Sequence, residues 1–238
     1  MPRVFVPSER LVGEQVVLDG EPHRHLAKVL RLQPGDALQV FDGGGTEIEA
    51  RVLAVGPRTI ELALGPRRAV VLAPVRITLL QAVPKGERMD LIVQKATELG
   101  VAAIVPVLAG RSVAKPGAGR ARRWQTIAQE AARQSGRADV PEVSDPLPLA
   151  DAVAAAPEGT RLVLWEEEHG HSLRRALDGS AAAVTLLVGP EGGLAVSEVV
   201  EARSHGFLPV GLGPRILRVE TAAIVALALV QAASGGLD

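Results

Sequence analysis

Read as a pattern of apolar and polar positions, the chain changes rhythm near residue 75. Before that point short alternating runs predict strands at Arg3 to Val6, Gln15 to Leu18, Ala37 to Phe41, Thr46 to Val55 and Thr59 to Leu64. Pro34-Gly35, Gly43-Gly44-Gly45 and Gly56-Pro57 separate them, residues whose backbone preferences suit tight turns. One helical piece, Glu21 to Leu30, interrupts the series, with Leu26, Val29 and Leu30 spaced to cover a core. The expectation is a small β barrel over residues 1–70, followed by a junction from Gly65-Pro66-Arg67-Arg68 to Pro74.

From Val75 strands alternate with helices, which predicts an α/β domain over residues 74–238 with a mostly parallel sheet covered on both faces. The strands are Val75 to Val83, Val101 to Val107, Arg161 to Trp165, Ala183 to Val188 and Phe207 to Val210. Lys85 to Leu99 is amphipathic, with Met89, Ile92, Val93, Ala96 and Leu99 on one side. Further helices are expected at about Arg120 to Ser135, Leu149 to Ala155, Ser172 to Leu177, Ser197 to His205 and Glu220 to Ala233. The last is apolar nearly all round, so it must be buried on most sides, and this is the one feature of the pattern that suggests a dimer.

Composition narrows the function classes. With 238 residues, 47% of them hydrophobic, the chain can bury a sizeable core. Arg3, Glu9, Arg10, Glu14 and His23 leave no signal-peptide core in the first thirty residues, and the longest apolar run, Ala222 to Ala233, is too short to span a membrane. There is no cysteine, which excludes disulfides, thiolate zinc sites and a cysteine nucleophile. A cytoplasmic location is expected.

The net charge of −1 conceals a split: Arg111 to Arg137 holds seven basic residues and one acidic, whereas Asp139 to Asp238 holds fourteen acidic and six basic. The basic stretch is either a phosphate-facing surface or an ordinary solvated helix face. The histidine pairs His23/His25 and His169/His171 lack the HExxH spacing of a helical zinc site, so no metal is expected.

Two loops carry the candidate chemistry. Val188-Gly189-Pro190-Glu191-Gly192-Gly193 follows one strand, and Leu212-Gly213-Pro214-Arg215-Ile216-Leu217-Arg218 follows the next and opens the last helix. In open α/β sheets ligands bind beyond the carboxyl ends of strands, and glycine lets backbone approach them closely. Neither loop has the spacing of a dinucleotide or P-loop phosphate cradle, and Glu191 would repel phosphate. A ligand offering an amine, a sulfonium and an adenine edge suits such carbonyl-rich loops better.

These loops, with Glu220-Thr221-Ala222, resemble the signature of the SPOUT methyltransferases, and more closely that of the ribosomal RNA small-subunit methyltransferase E family. Lys95 with Thr97-Glu98-Leu99-Gly100, Arg111-Ser112, Gln134-Ser135-Gly136-Arg137, and the front-domain pattern His25, Val29-Leu30-Arg31-Leu32, Gly35-Asp36 and Phe41-Asp42-Gly43 extend the likeness over nearly the whole chain. Pro214 departs from the pattern and stiffens its loop. The resemblance implies a PUA-like β barrel, a SPOUT domain with a C-terminal trefoil knot, a homodimer, and methylation of uracil N3 in small-subunit ribosomal RNA with S-adenosylmethionine as donor. It implies that the donor is bound by Leu164, Trp165 and Glu166, by Val188, Gly189, Pro190, Glu191 and Gly192, and by Leu212, Gly213, Arg215, Ile216, Leu217 and Arg218.

The absence of cysteine agrees with a nitrogen acceptor, since methylation at pyrimidine carbon 5 usually relies on a thiolate. Uracil N3 must lose a proton, and a positioned arginine would stabilise the resulting anion. Candidates are Arg133, Arg137 and Arg218, with Glu191 as a hydrogen-bond acceptor or base. Phosphate contact for Arg133 and Arg137, a helix-terminal ion pair with Glu220 or Glu191 for Arg218, and closure of its own turn for Glu191 are the structural alternatives. Candidate RNA contacts are Arg24, Arg31, Arg111, Arg122, Arg123, Arg133 and Arg137, on free RNA or an assembled small subunit. With 2% aromatic residues and no tyrosine, recognition should be electrostatic and not by base stacking. Another acceptor, such as a ribose 2′-hydroxyl or a different base nitrogen, would be distinguished by nucleoside mass spectrometry. A non-catalytic RNA-binding assembly factor would bind no donor in calorimetry.

Overall fold

The computed structural model describes residues 1–71, 73–112, 117, 119–177 and 181–237. Two compact units emerge, Met1–Leu72 with Ala132–Val140, and Ala73–Ala131 with Pro141–Asp238.

In the first unit, β1 (Arg3–Phe5), β2 (Gln15–Asp19), β3 (Ala37–Phe41), β4 (Thr46–Val55) and β5 (Thr59–Ala69) form one curled sheet in the order β1-β3-β4-β5-β2. Only β1 and β3 run parallel. The edge strands β1 and β2 are not neighbours, so the PUA-like sheet is a half-barrel and not a closed barrel. Alternate residues point inward, and Leu18, Leu38, Val40, Ile60 and Leu62 form a fully buried core.

Two local expectations fail here. Residues Gly65 to Ala69, expected to start a junction, continue β5, because the ladder with β4 shifts register between Ile48 and Ala50. That irregularity accommodates Gly65, whose added Cβ would lie 2.8 Å from the Glu49 carbonyl oxygen, and Pro66, which has no N–H to give to a ladder. The helical piece also differs: α1 (Gly20–His23) passes into a π-helix, Arg24–Val29. The wider π turn leaves Leu26 buried but turns Val29 and Leu30 outward, at 65% and 39% exposure.

In the second unit, β6 (Arg76–Ala82), β7 (Ala103–Leu108), β8 (Glu142–Val143), β9 (Leu147–Pro148), β10 (Thr160–Leu164), β11 (Ala183–Val188) and β12 (Leu208–Val210) form a parallel sheet. Its order is β12-β10-β11-β6-β7-β8, with β9 also on β7. The short β8 and β9 occupy the Pro-rich stretch from Pro141 to Pro148, where no strand is expected from the pattern. The central strands β6 and β11 are buried almost throughout, as a sheet covered on both faces requires.

The helices are α2 (Arg88–Glu98), α3 (Arg120–Ser135), α4 (Leu149–Ala154), α5 (Leu173–Ala176), α6 (Val196–Ser204) and α7 (Val219–Ala233). The second helix starts three residues later than its apolar periodicity suggests, since Gly86 adopts φ +68° and Lys85 gives its amide to Glu191. In α7, Val219, Ala223, Ala226, Leu227 and Val230 are buried. Among the described residues no helix is long and apolar enough to cross a membrane.

Candidate active site

The strand order decides where the site lies. Because β12, β10 and β11 are neighbours, the loops that leave their carboxyl ends are brought side by side, although up to some fifty residues of chain separate them. Between these loops lies a cavity of about 850 Å³. Leu164, Trp165 and Glu166 line it from β10, Val188, Gly189, Pro190, Glu191 and Gly192 from β11, and Leu212, Gly213, Arg215, Ile216, Leu217 and Arg218 from the segment after β12.

Close packing shapes the walls. Gly193 holds φ +69°, and an added Cβ there would fall 2.0 Å from Glu166 Oε1, so the Glu166 carboxylate lies directly over a backbone that only glycine permits. Gly211, between β12 and the loop, accepts and donates through its backbone: the Leu173 amide donates to its carbonyl at 3.0 Å and its own amide donates to the His171 carbonyl at 2.8 Å. Glu168 closes its own turn by accepting the amides of His171 and Gly170, which together hold its carboxyl below the usual carboxylate range.

The electrostatic centre of the pocket is Arg88, at the head of α2. Arg88 donates to Glu191 and has its Nε 3.9 Å from Glu220 Oε2. Glu191 Oε1 also accepts the Lys85 amide at 2.9 Å. Partial burial opposes ionisation of Glu191, but hydrogen bonds from its own amide, from Lys85 and from Arg88 outweigh it and leave the carboxyl below its ordinary value. A carboxylate so held is an anchor and a weak proton acceptor. Arg218 is the N-cap residue of α7 and is exposed. Among the described residues the partner of Glu191 and Glu220 is Arg88 and not Arg218.

Two polar atoms of the wall, Trp165 Nε1 and Glu220 Oε2, are buried with no hydrogen-bond partner among the described residues. Buried polar groups are ordinarily satisfied, so these two atoms mark where the protein's own hydrogen bonds leave the wall incomplete. Ile216, 90% exposed at the rim, adds an uncovered apolar surface.

The basic candidates are dispersed. Arg133 contacts His25 Nε2 at 3.1 Å, which requires that nitrogen to be the acceptor. Arg137 pairs with Asp139 through two hydrogen bonds, and its carbonyl accepts from Arg3. In the second unit Arg111 donates to the Gly192 carbonyl at 2.8 Å, behind the pocket loop, and Arg123 pairs with Asp90. Trp124 is buried and donates to the same Asp90. Arg24, Arg31 and Arg122 are exposed, and Arg31 is a non-glycine residue with positive φ, at 55°. Residues 113–116 and 118 of the basic stretch lie outside the described residues.

Comparison with known proteins follows the same division. The RNA methyltransferase domain model matches residues 72–231, and the RNA methyltransferase PUA domain model matches residues 18–64. The parallel sheet with its loop-lined cavity is therefore an RNA methyltransferase domain. A ribosomal RNA small subunit methyltransferase E from Synechocystis sp. is 38% identical over 234 residues, 97% of this chain and 77% of that protein. The protein of the same name from Bacillus subtilis is 32% identical over 226 residues, 90% of this chain and 88% of that one. The crystal structure of ribosomal RNA small subunit methyltransferase E from Neisseria gonorrhoeae, bound to S-adenosyl methionine, matches with a TM-score of 0.89 at 35% identity and covers 98% of this chain and 97% of that one. The chain belongs to the ribosomal RNA small subunit methyltransferase E family.

Proposed function

We propose that this chain transfers the methyl group of S-adenosylmethionine to uracil N3 in 16S ribosomal RNA of the small subunit. The observation that carries the reading is the cavity, which gathers the three loops named above with Glu166, Glu168, Glu191 and Glu220 in its lining. The four carboxylates and the loop backbone of that lining fit a ligand that presents both hydrogen-bonding groups and positive charge, as S-adenosylmethionine does. The donor supplies an electrophilic methyl group on a positively charged sulfur, which leaves with the bonding electron pair.

The chain's own contribution is alignment and exclusion of water. Leu164, Trp165 and Glu166, Val188 to Gly192 and Leu212 to Arg218 hold the donor. Arg218, exposed at the head of α7 on the cavity wall, stabilises the charge that spreads onto the uracil oxygens as N3 loses its proton. Arg133 and Arg137, held by His25 and Asp139, are the further candidates for that charge stabilisation and for RNA contact. Arg24, Arg31, Arg111, Arg122 and Arg123 complete the proposed RNA-contact set. Glu191 is positioned as an anchor of its loop.

The reading extends to a cytoplasmic homodimer that acts on ribosomal RNA or an assembled small subunit. Half-buried Ile224, Val225, Ala228 and Leu229 on α7 support self-association. The pairing of Gly211 with His171 and Leu173 supports a C-terminal segment threaded past the β10–α5 connection as a trefoil knot. The test is incubation with labelled S-adenosylmethionine and undermodified small ribosomal subunits, followed by nucleoside mass spectrometry. Label in 3-methyluridine is expected; label in another nucleoside moves the acceptor, and absence of label and of donor binding defeats the reading.

A further inference from the structure

We infer that Glu220 is the residue by which the pocket prefers a methyl donor with a positively charged sulfur over the demethylated product, whose sulfur is neutral. This rests on the cofactor reading above. Four carboxylates line the cavity, Glu166, Glu168, Glu191 and Glu220, against the three arginines Arg88, Arg215 and Arg218. Their charges are not equally compensated. Glu168 accepts two backbone amides, and Glu191 accepts the Lys85 amide and pairs with Arg88.

Glu220 is the buried exception. Its side chain is 15% exposed, and among the described residues its Oε2 has no hydrogen-bond partner and its nearest cation is Arg88 Nε at 3.9 Å, on a guanidinium already committed to Glu191. An ionised carboxylate removed from water without hydrogen bonds is costly unless a positive charge faces it. The first turn of α7 favours negative charge at that position but supplies no countercharge to close the account. A sulfonium has no N–H to donate, so it is recognised through charge alone, and a carboxylate whose one ion pair is long and shared is the group that does this. Methyl transfer then removes the charge that Glu220 faces, which weakens the hold on the product and favours its release.

The experiment is calorimetric titration of the full chain with S-adenosylmethionine and with S-adenosylhomocysteine, for the wild type, Glu220→Gln and Glu220→Asp. Glu220→Gln should weaken S-adenosylmethionine binding at least tenfold, since a charge pair about 4 Å apart at an effective dielectric of about 20 contributes well over a tenfold factor. It should leave S-adenosylhomocysteine binding within about twofold, which also reports that the variant is folded, and Glu220→Asp should keep most of the preference. Equal weakening of both ligands, or of neither, overturns the inference. A wild type that binds neither ligand defeats the cofactor reading instead.

Should Glu220→Gln fail to fold, the wild type decides with an analogue in which an amine-bearing carbon replaces the sulfonium. Its affinity relative to S-adenosylhomocysteine should fall as pH rises through the amine's own titration, and a ratio independent of pH overturns the inference.

Discussion

Replacing Glu191 by glutamine separates an anchoring role from proton abstraction. The glutamine oxygen can still accept the Lys85 amide, found at 2.9 Å in the wild type, so what is lost is the charge facing Arg88. A hydrogen bond to a charged group contributes about 1.5–3 kcal/mol when shielded. The Arg88 and Glu191 side chains are 43% and 30% exposed, so solvent screening reduces this to about 1 kcal/mol. That corresponds to roughly a fivefold weakening of donor binding. Loss of a general base would instead lower kcat by about a hundredfold to ten-thousandfold. Donor affinity from calorimetry and kcat from single-turnover methylation therefore give different patterns for the two roles. The pH dependence adds a second check. Since the Glu191 carboxyl lies below its ordinary value, its contribution to stability is present above the unfolded carboxyl pKa of about 4.3 and is lost as pH falls through the lower folded value. The stability gap between wild type and Glu191→Gln should thus be flat from pH 6 to about 9 and close on acidification below about 4. A kcat loss of a hundredfold or more with donor affinity unchanged would refute the anchoring argument.

Three further outcomes are expected. Gly193→Ala forces a side chain into φ +69° and places a Cβ 2.0 Å from Glu166 Oε1; it should cost about 1–2 kcal/mol, lower Tm by several degrees and weaken donor binding, and an unchanged melting curve counts against the close approach. In the first unit Glu47, 6% exposed, pairs with Arg3 at 2.8 Å and with the exposed Arg68 at 2.7 Å; Glu47→Ala should cost about 3–5 kcal/mol in urea unfolding and Arg68→Ala under about 1, and equal costs would show that burial does not govern the network. RNA binding should weaken steeply with salt, with Arg122→Ala reducing the log–log slope by about 0.7 to 0.9; a slope near zero for the wild type removes the electrostatic model.

Much of the molecule is legible without coordinates, because its information is local. Strand β3, strand β4, strand β11 and helix α3 begin and end where apolar periodicity and turn residues place them, and the glycine-rich segments around Glu191 and Arg215 announce themselves by composition. The departures are also local in cause but need a partner strand or turn to appear. Nothing in Gly65-Pro66 says that an irregularity in the ladder with β4 will carry β5 through them, and a π turn at Arg24–Val29 has the same residues as an α turn with a different face outward.

What sequence alone determined here is the alternation of elements, the exclusion of thiol chemistry and the loops that carry the pocket. What only the tertiary structure decided is which charges meet. Arg88 lies at the head of α2, the helix after β6, and reaches Glu191 because β6 is the neighbour of β11 in the sheet. The pairing that neutralises Glu191 and leaves Glu220 only a 3.9 Å approach to the same guanidinium spans more than a hundred residues. Such a pairing is fixed by strand order, a collective property of packing, and leaves no periodic trace in the neighbourhood of either residue.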